Sequence, residues 1–153
     1  MKTNHTLLLQ EHLQHMEQAA DYLAFSYDRS RDIIHQTTWT SEQMERLESL
    51  TSRFARLSDL LTQKVMRIID GLELTPDGTL LDRIHRAEKR GWVDSATDLV
   101  RIRELRNLIA HEYAADKLDE LHQAIFALTP QLLAVIPKVR EYAEDLIKRY
   151  PSD

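Results

Sequence analysis

The sequence predicts an all-α protein, folded as an up-and-down bundle of about five to six helices. Gly and Pro, the residues that break helices, occur only three and four times among 153 residues. Good helix formers such as Leu, Ala, Glu, Arg and Gln recur throughout the chain. Apolar residues repeat at spacings of three and four, rather than in the alternation that is typical of strands. Because 42% of the residues are apolar, the chain can bury one core, and we expect residues 1–153 to form a single domain.

The composition also excludes several functional classes. Cysteine is absent, which excludes disulfides, a thiol nucleophile and a cysteine-bound metal. His12 and His15 lie one helical turn apart without a third ligand at a fixed spacing, so we expect solvated histidines and no metal or cofactor. The net charge of −5 argues against binding nucleic acid through bulk positive charge. The apolar runs at 7–9 and 132–137 are too short for a signal peptide or a membrane span, so we expect a cytoplasmic protein without membrane contact.

The first two helices are predicted from periodicity and from a cap. Apolar residues at spacings of three and four predict a first helix over about residues 6–27. Thr40 followed by Gln43 fits a capping box, so the second helix should begin near Thr40. Its apolar stripe continues for about thirty residues, and Asp70-Gly71 supplies a C-terminal stop. We expect this second helix to be the long central rod of the bundle.

Turn residues separate the rod from two further helices. Residues 75–79 contain Pro and Gly in a turn pattern, and a short helix with one apolar and one basic face should follow. Gly91 should end that short helix, because glycine adopts the left-handed conformation of a helix C-terminus without strain. Asp94 or Ser95 should then cap the next helix, which carries the most polar stretch of the chain.

Two prolines divide the last part of the sequence. After a break at 114–116, an apolar stripe predicts a further helix. A proline inside a helix loses a hydrogen bond and clashes with the preceding turn. We therefore expect a new helix to begin near Pro130, and a kink or a restart at Pro137.

The stretch 106–113 reads Arg-Asn-Leu-Ile-Ala-His-Glu-Tyr and concentrates polar side chains that suit phosphate chemistry. On a helical wheel, Arg103 and Asn107 lie opposite the apolar side, with Arg106 and His111 at the two edges. The predicted apolar side contains Leu99, Ile102, Leu105 and Ile109. An Arg fork binds phosphate and an imidazole exchanges a proton near neutral pH. A helix with charges on one side is often only solvated, so this polar face alone does not establish a function.

The spacing Arg106-Asn107-x3-His111-x-Tyr113 is more specific than the polar face. It resembles the signature of the HEPN superfamily, which has an Arg, a polar residue that is often Asn, and then a His. The additional Tyr113 makes the stretch similar to the HepT-type toxins of bacterial and archaeal toxin–antitoxin pairs. The order of a long helix, a long helix, a short helix and the motif helix agrees with this resemblance over most of the chain.

The resemblance implies an activity, partners and residue roles. Active members of the family are metal-independent endoribonucleases, and their domains form homodimers in which the two motif helices face one cleft. Arg106, Asn107 and His111 correspond to the catalytic motif. HepT-type members are neutralised by a cognate minimal nucleotidyltransferase that transfers AMP to the motif tyrosine, which corresponds to Tyr113. The expected function is thus a toxin of a type II, or AMPylation-neutralised, toxin–antitoxin system.

The residue chemistry is consistent with RNA cleavage. When a 2′-hydroxyl attacks the adjacent phosphorus, one group must move a proton and another must stabilise the added negative charge. His111 suits the first role and Arg106 the second. Asn107 would orient the His or hold a phosphate oxygen, and Arg103 would help to bind and position the RNA backbone.

A continuous helix also favours a dimer on geometric grounds. Arg106 and His111 would point about 140° apart and lie about 7.5 Å apart along the helix axis. One helix would present them poorly to a single phosphate. Two helices related by a two-fold axis would bring an Arg and a His from different subunits together.

Two other functions stay open. The chain is alternatively a noncatalytic HEPN module that binds a nucleotide or docks a nucleotidyltransferase. A phosphotransfer bundle with His111 as phosphate carrier would need neighbouring Lys and Gly, and residues 112–114 supply neither. The acidic net charge further indicates either a selected RNA substrate or a weak nuclease.

Overall fold

The computed structural model describes residues 2–75, 78–111 and 115–150. Within these ranges all regular secondary structure is helical, which confirms the all-α fold class. The helices are α1 (Lys2–Ser30), α2 (Ser41–Asp59), a π-helix (Leu60–Val65), α3 (Met66–Leu72), α4 (Leu80–Lys89), α5 (Ala96–Ile109) and α6 (Ala115–Arg149). The first helix therefore extends beyond the predicted 6–27 at both ends.

The central rod is present and is capped as predicted. The Gln43 amide donates to Thr40 Oγ1 at 3.2 Å, and the Thr40 amide donates to Gln43 Oε1 at 3.1 Å, which completes the capping box. Helix α2, the π-helix and α3 then follow without a break. Gly71 lies inside α3, so the predicted stop at Asp70-Gly71 is two residues early, and the left-handed residue past the helix is Leu74, with φ 56°.

A spacing in the sequence accounts for the π-helix. Leu57, Leu61, Val65 and Ile69 are each four residues apart and all fully buried. In an α-helix of 3.6 residues per turn, each step of four would rotate the stripe by about 40° away from the core. The wider turn of a π-helix reduces this drift, and the Met66 amide donates to the Leu61 carbonyl in the five-residue π pattern. Tertiary burial thus favours the wider turn.

One main core holds the bundle together. Helix α1 packs along α2 and α6, while α5 packs between α2 and α6. Helix α4 is short and lies across α5 and the π-helix. The largest fully buried side chain is Phe54, in the middle of α2. A smaller cluster of Ile33, Ile34 and Leu47 closes the end where α1 turns into α2, and there Trp39 Nε1 donates to the Ile33 carbonyl at 2.8 Å.

The prediction that a new helix begins near Pro130 is wrong, and so is the predicted restart at Pro137, whereas the alternative of a kink at Pro137 stays a prediction. Helix α6 runs through both prolines, which are seven residues apart and exposed on the same side. Leu132 and Val139 on the other side are fully buried. Each interior proline costs about 3 kcal/mol, whereas each buried Leu or Val side chain contributes about 1.5–3 kcal/mol. Packing along the whole inner side of α6 therefore offsets the local cost.

An ion-pair network fixes α4 to the rod and to α6. Asp70 accepts from Arg86 Nη1 at 2.9 Å and from Arg90 Nη1 at 2.8 Å. Arg90 Nη2 also donates to Glu73 at 2.8 Å, and the Tyr142 hydroxyl donates to the same Glu73 carboxylate at 2.6–2.7 Å. These basic residues of α4, predicted to form a basic face, thus pair with acidic residues of α3 and the turn after it.

The ends of α4 and α5 follow the sequence. Gly91 has φ 79° and ends α4, as predicted, and the amide after it, from Trp92, donates back to the Ala87 carbonyl at 2.9 Å. Ser95 Oγ accepts from the Thr97 amide at 3.2 Å and caps α5, as one of the two predicted alternatives. The predicted turn at 75–79 includes two residues, 76 and 77, that lie outside the described ranges.

Candidate functional site

Helix α5 ends before the motif does. It ends at Ile109, so the prediction of a continuous helix through Tyr113 is wrong. The Ala110 amide donates to the Asn107 carbonyl at 3.2 Å, and the His111 amide donates to the Leu108 carbonyl at 3.1 Å. These three-residue bonds tighten the last turn and satisfy carbonyls that an α-helix end leaves unpaired. His111 therefore lies in a bend after the helix, with an exposed side chain.

This bend changes the geometric argument for a dimer. The separation of 140° between Arg106 and His111 requires a continuous helix, and His111 is no longer in one. Both residues instead line the same groove of a single chain. The homodimer stays a prediction, but it now depends on the HEPN resemblance and not on the geometry of the two side chains.

Arg103 is placed differently from the prediction. Its side chain is 10% exposed, so the predicted position on a solvent-facing polar side is wrong, while its predicted role in binding the RNA backbone stays a prediction. Arg103 follows Leu99 by four residues and so lies about 40° from it around α5, and the packing of α5 against α2 and α6 buries both. Arg103 Nη1 donates to Ser58 Oγ at 2.9 Å and to Asp59 Oδ1 at 2.8 Å. Arg103 thus connects α5 to the end of α2.

Arg106 shares the same carboxylate oxygen. Its Nε donates to Asp59 Oδ1 at 2.8 Å, and its side chain is 27% exposed. Burial alone would raise the pKa of Asp59, but the hydrogen bonds from Arg106 and Arg103 lower it below the usual value. The hydrogen bond that Arg106 donates to Asp59 in turn raises the pKa of Arg106. Among the described residues the Nη groups of Arg106 have no hydrogen-bond partner, so these donors remain available to an anion.

Three helices enclose the groove that contains this arginine. The groove has a volume of about 510 Å³ and lies between α2, α5 and α6. Its lining includes Glu48, Thr51, Ser52, Ala55, Arg106, Ile109, Ala110, His111, Leu118, Leu121 and His122. A groove between helices, with apolar walls and a few polar groups, is a common form of ligand site. Arg106 and His111 form the cationic and titratable part of the groove, and apolar side chains line the rest. This arrangement suits a ligand that has an anionic part and a flat apolar part.

His122 was not predicted as a site residue. It lies in the groove, is only 3% exposed, and its Nδ1 has no hydrogen-bond partner in the described part of the chain. Desolvation by burial lowers the pKa of His122, and nearby Asp119 and Glu48 oppose this shift only in part. The imidazole is therefore neutral at pH 7. Trp39 contacts it edge to face, with ring centroids 6.3 Å apart.

Asn107 and Tyr113 are the remaining residues of the motif. Asn107 is exposed, follows Arg106 on α5, and does not line the groove formed by the described residues. Tyr113 lies outside the described residues, so its predicted role stays a prediction. Asp59 is a further residue that the sequence analysis missed. The signal was the adjacent Ser58, a fully buried polar residue that occupies a position of the apolar stripe of α2.

Across the ranges that the structure describes, no group of three or more His, Asp or Glu residues could hold a metal ion. His12 and His15 contact each other edge to face with ring centroids 5.8 Å apart. Nor does any helix in those ranges have the length and apolar character needed to cross a membrane.

The chain was compared with known families and structures. No protein-family model, curated protein or solved structure matches it. The similarity to the HEPN superfamily therefore depends on the spacing of the motif residues and on the order of the helices.

Proposed function

We propose that this protein is a metal-independent endoribonuclease that acts in the cytoplasm as a toxin. One observation carries the proposal. Arg106, whose Nη groups have no partner in the described part of the chain, and the exposed His111 line one groove, and Asp59 fixes the Nε edge of that arginine. This combination supplies a phosphate-binding cation and a proton-transfer group at the same place.

The proposed reaction is attack of an RNA 2′-hydroxyl on the adjacent phosphorus. His111 accepts the proton of the 2′-hydroxyl as the bond from the 2′-oxygen to phosphorus forms. The bond from phosphorus to the 5′-oxygen of the next nucleotide breaks, and that oxygen takes a proton from the protonated His111 or from water. The products are a 2′,3′-cyclic phosphate and a 5′-hydroxyl. Arg106 stabilises the negative charge that develops on the phosphoryl oxygens.

Asp59 and Arg103 act as positioning residues in this proposal. A carboxylate that accepts from Arg106 Nε leaves the planar Nη pair as the only edge available to a phosphate. Arg103 holds the same oxygen of Asp59 from the buried side. Two arginines on one oxygen restrict the carboxylate, so the fork of Arg106 is oriented before substrate arrives. Asn107, which is exposed beside Arg106 but outside the groove, would contact a phosphate oxygen where the RNA leaves the groove.

The test is cleavage of RNA by the purified protein in EDTA. The wild type should cleave, while Arg106→Ala and His111→Ala should lose at least about 100-fold in rate. Arg101→Ala is the matched control, because Arg101 is an exposed arginine of the same helix outside the groove. It should cleave like the wild type. RNA that stays intact in EDTA, or equal rates for all four proteins, would refute the nuclease proposal.

The toxin role is proposed together with a partner. Expression of the chain alone should arrest growth, and a cognate minimal nucleotidyltransferase should relieve the arrest by transferring AMP to Tyr113. The modification would add a bulky anion two residues after His111 in the sequence. Tyr113→Phe should keep the nuclease activity and resist neutralisation. If Tyr113→Phe is neutralised as well as the wild type, another residue or another mechanism provides control.

The proposed assembly is a homodimer, on the resemblance alone. Sedimentation of the purified wild type should give the mass of two chains. The noncatalytic alternative gives a distinct result in the same set of assays, because a module that only binds nucleotides or docks the transferase would bind without cutting RNA. Its Arg106→Ala variant would then weaken nucleotide binding without any change in RNA integrity.

A further inference from the structure

We propose that the groove between α2, α5 and α6 is a nucleobase subsite that selects guanine beside the scissile phosphate. This inference rests on the proposed function for the position of the phosphate, at Arg106 and His111. It adds the identity of the base, which neither residue determines. The rest of the groove, which includes one face of α2 and the buried His122 of α6, determines the base.

The face of α2 that lines the groove has polar side chains at one end and a small side chain, that of Ala55, at the other. Glu48 and Ser52 are four residues apart and Thr51 lies between them, so all three share one side of the helix. Ala55 continues that side toward Arg106. Glu48 and Ser52 are exposed, and Glu48 interacts electrostatically with His122. Thr51 already donates its hydroxyl to the Leu47 carbonyl at 3.0 Å.

His122 is a second polar residue at the groove, and its ring is buried. A polar atom that is buried without a partner costs free energy, and such atoms in a folded protein call for an explanation. His122 is 3% exposed, and its Nδ1 lacks a partner among the described residues. The neutral ring can donate one hydrogen bond and accept another.

The walls suit the faces of a base. Ile109, Leu118 and Leu121 line the groove from α5 and α6, and their apolar surfaces can contact the flat ring system. A volume of about 510 Å³ is within the range of small-ligand sites. Arg106 and His111 line the same groove, so a nucleotide could place its base on the apolar walls and its phosphate at the motif.

The carboxylate of Glu48 determines which base binds in the groove. An ionised carboxylate only accepts, with two oxygens side by side. Guanine has two adjacent N–H donors on its Watson–Crick edge, at N1 and N2, and can bind both oxygens. Adenine and cytosine have an amino group beside a ring nitrogen that accepts, and uracil has one N–H between two carbonyls. These three bases would place an acceptor against the carboxylate, and Glu48 would therefore reject them relative to guanine.

The experiment uses the four nucleoside 3′-monophosphates as probes and the full chain in EDTA. Trp39 contacts His122, so its indole N–H resonance reports occupancy of the groove, while Trp92, which packs against Tyr142, serves as an internal reference. The guanosine nucleotide should bind at least about tenfold more tightly than the other three, as a bidentate pair to a base edge provides. It should shift the Trp39 resonance and not that of Trp92.

Glu48→Gln tests the selecting residue. A glutamine has one acceptor and one donor, so guanosine affinity should fall about tenfold and the preference over adenosine should disappear. Glu45→Gln is the matched control, because Glu45 is an exposed glutamate of the same helix that does not line this groove. It should keep the wild-type preference. Equal affinities of the wild type for all four nucleotides, or a Trp39 resonance that does not move, would overturn the proposal.

Cleavage sites separate this inference from the nuclease proposal. On an RNA that contains all dinucleotides, the wild type should cut beside guanosine, and Glu48→Gln should cut without that preference. If the guanosine nucleotide binds selectively while RNA stays intact, the subsite stands and the nuclease proposal fails. If RNA is cut without base preference and the Trp39 resonance does not move, the nuclease stands and the subsite fails.

Discussion

Replacement of Asp59 by alanine tests the geometry on which the candidate site depends. The substitution removes the oxygen that accepts from Arg103 Nη1 and from Arg106 Nε, each at 2.8 Å. A buried hydrogen bond to a charged group contributes about 1.5–3 kcal/mol, and the bond to Arg103, whose side chain is 10% exposed, falls at the lower end. Asp59 is 37% exposed, so solvent screening reduces the contribution of the bond to Arg106 to about 0.5 kcal/mol. Asp59→Ala should therefore lower the unfolding free energy by about 2 kcal/mol.

The pH dependence has a definite sign. The folded-state pKa of Asp59 is lower than its unfolded value of 3.8, so its contribution is complete above the unfolded pKa. It is lost as the pH falls through the lower folded pKa. The difference in stability between the wild type and Asp59→Ala should thus be constant from about pH 5 to pH 7 and should narrow below about pH 4.

Urea unfolding followed by circular dichroism measures this difference at each pH. Asp21→Ala is the control, because Asp21 is an exposed aspartate of α1 and corrects for the higher helix propensity of alanine. Asp59→Ala should also slow RNA cleavage, since Arg106 loses its orientation. A variant as stable as the Asp21 control at pH 7, or a difference that widens on acidification, would refute the reasoning.

Three further substitutions test other parts of the structure. Arg106→Lys keeps the charge but loses both the planar fork and the Nε bond to Asp59, so kcat/KM for RNA should fall about 100-fold. An unchanged value would contradict the proposed phosphate contact. Tyr142→Phe removes the hydroxyl that donates to Glu73, so the unfolding free energy measured in urea should fall by about 1–2 kcal/mol. Wild-type stability would mean that the network does not hold α6. Pro137→Ala restores an amide inside α6 at an exposed position, so the unfolding free energy should increase by about 2 kcal/mol and the thermal midpoint should rise. A lower midpoint would show that the helix needs the proline.

The sequence predicted those features that depend on neighbouring residues. The Thr40 capping box and the left-handed Gly91 each involve residues only a few positions apart, and both are confirmed. The rod was predicted for the same reason, because its apolar stripe repeats every turn. The motif stretch could be recognised, but only as residues in order along the chain.

Long-range packing decided the features that were missed. Arg103 is buried because α5 contacts two helices, and a helical wheel does not show those contacts. Asp59 and Arg106 are 47 positions apart, so no local pattern could pair them. Pro137 remains inside α6 because the burial of residues on the inner side outweighs the local cost. The end of α5 at Ile109 has neither Gly nor Pro to mark it.

The π-helix has a consequence for chain length. A wide turn accommodates one residue more than an α-helix of the same rise, so Leu60–Val65 is a place where the rod can become shorter. Deletion of the exposed Lys64 would bring Val65 and Ile69 one position closer to Leu61, and the buried spacings of four, four and four would become four, three and four. That series fits 3.6 residues per turn, so the flanking segments would keep their orientation. A deletion of one residue elsewhere in α2 would instead rotate everything beyond it by about 100°. Natural variation in the length of this helix should therefore concentrate in the six residues that follow Asp59.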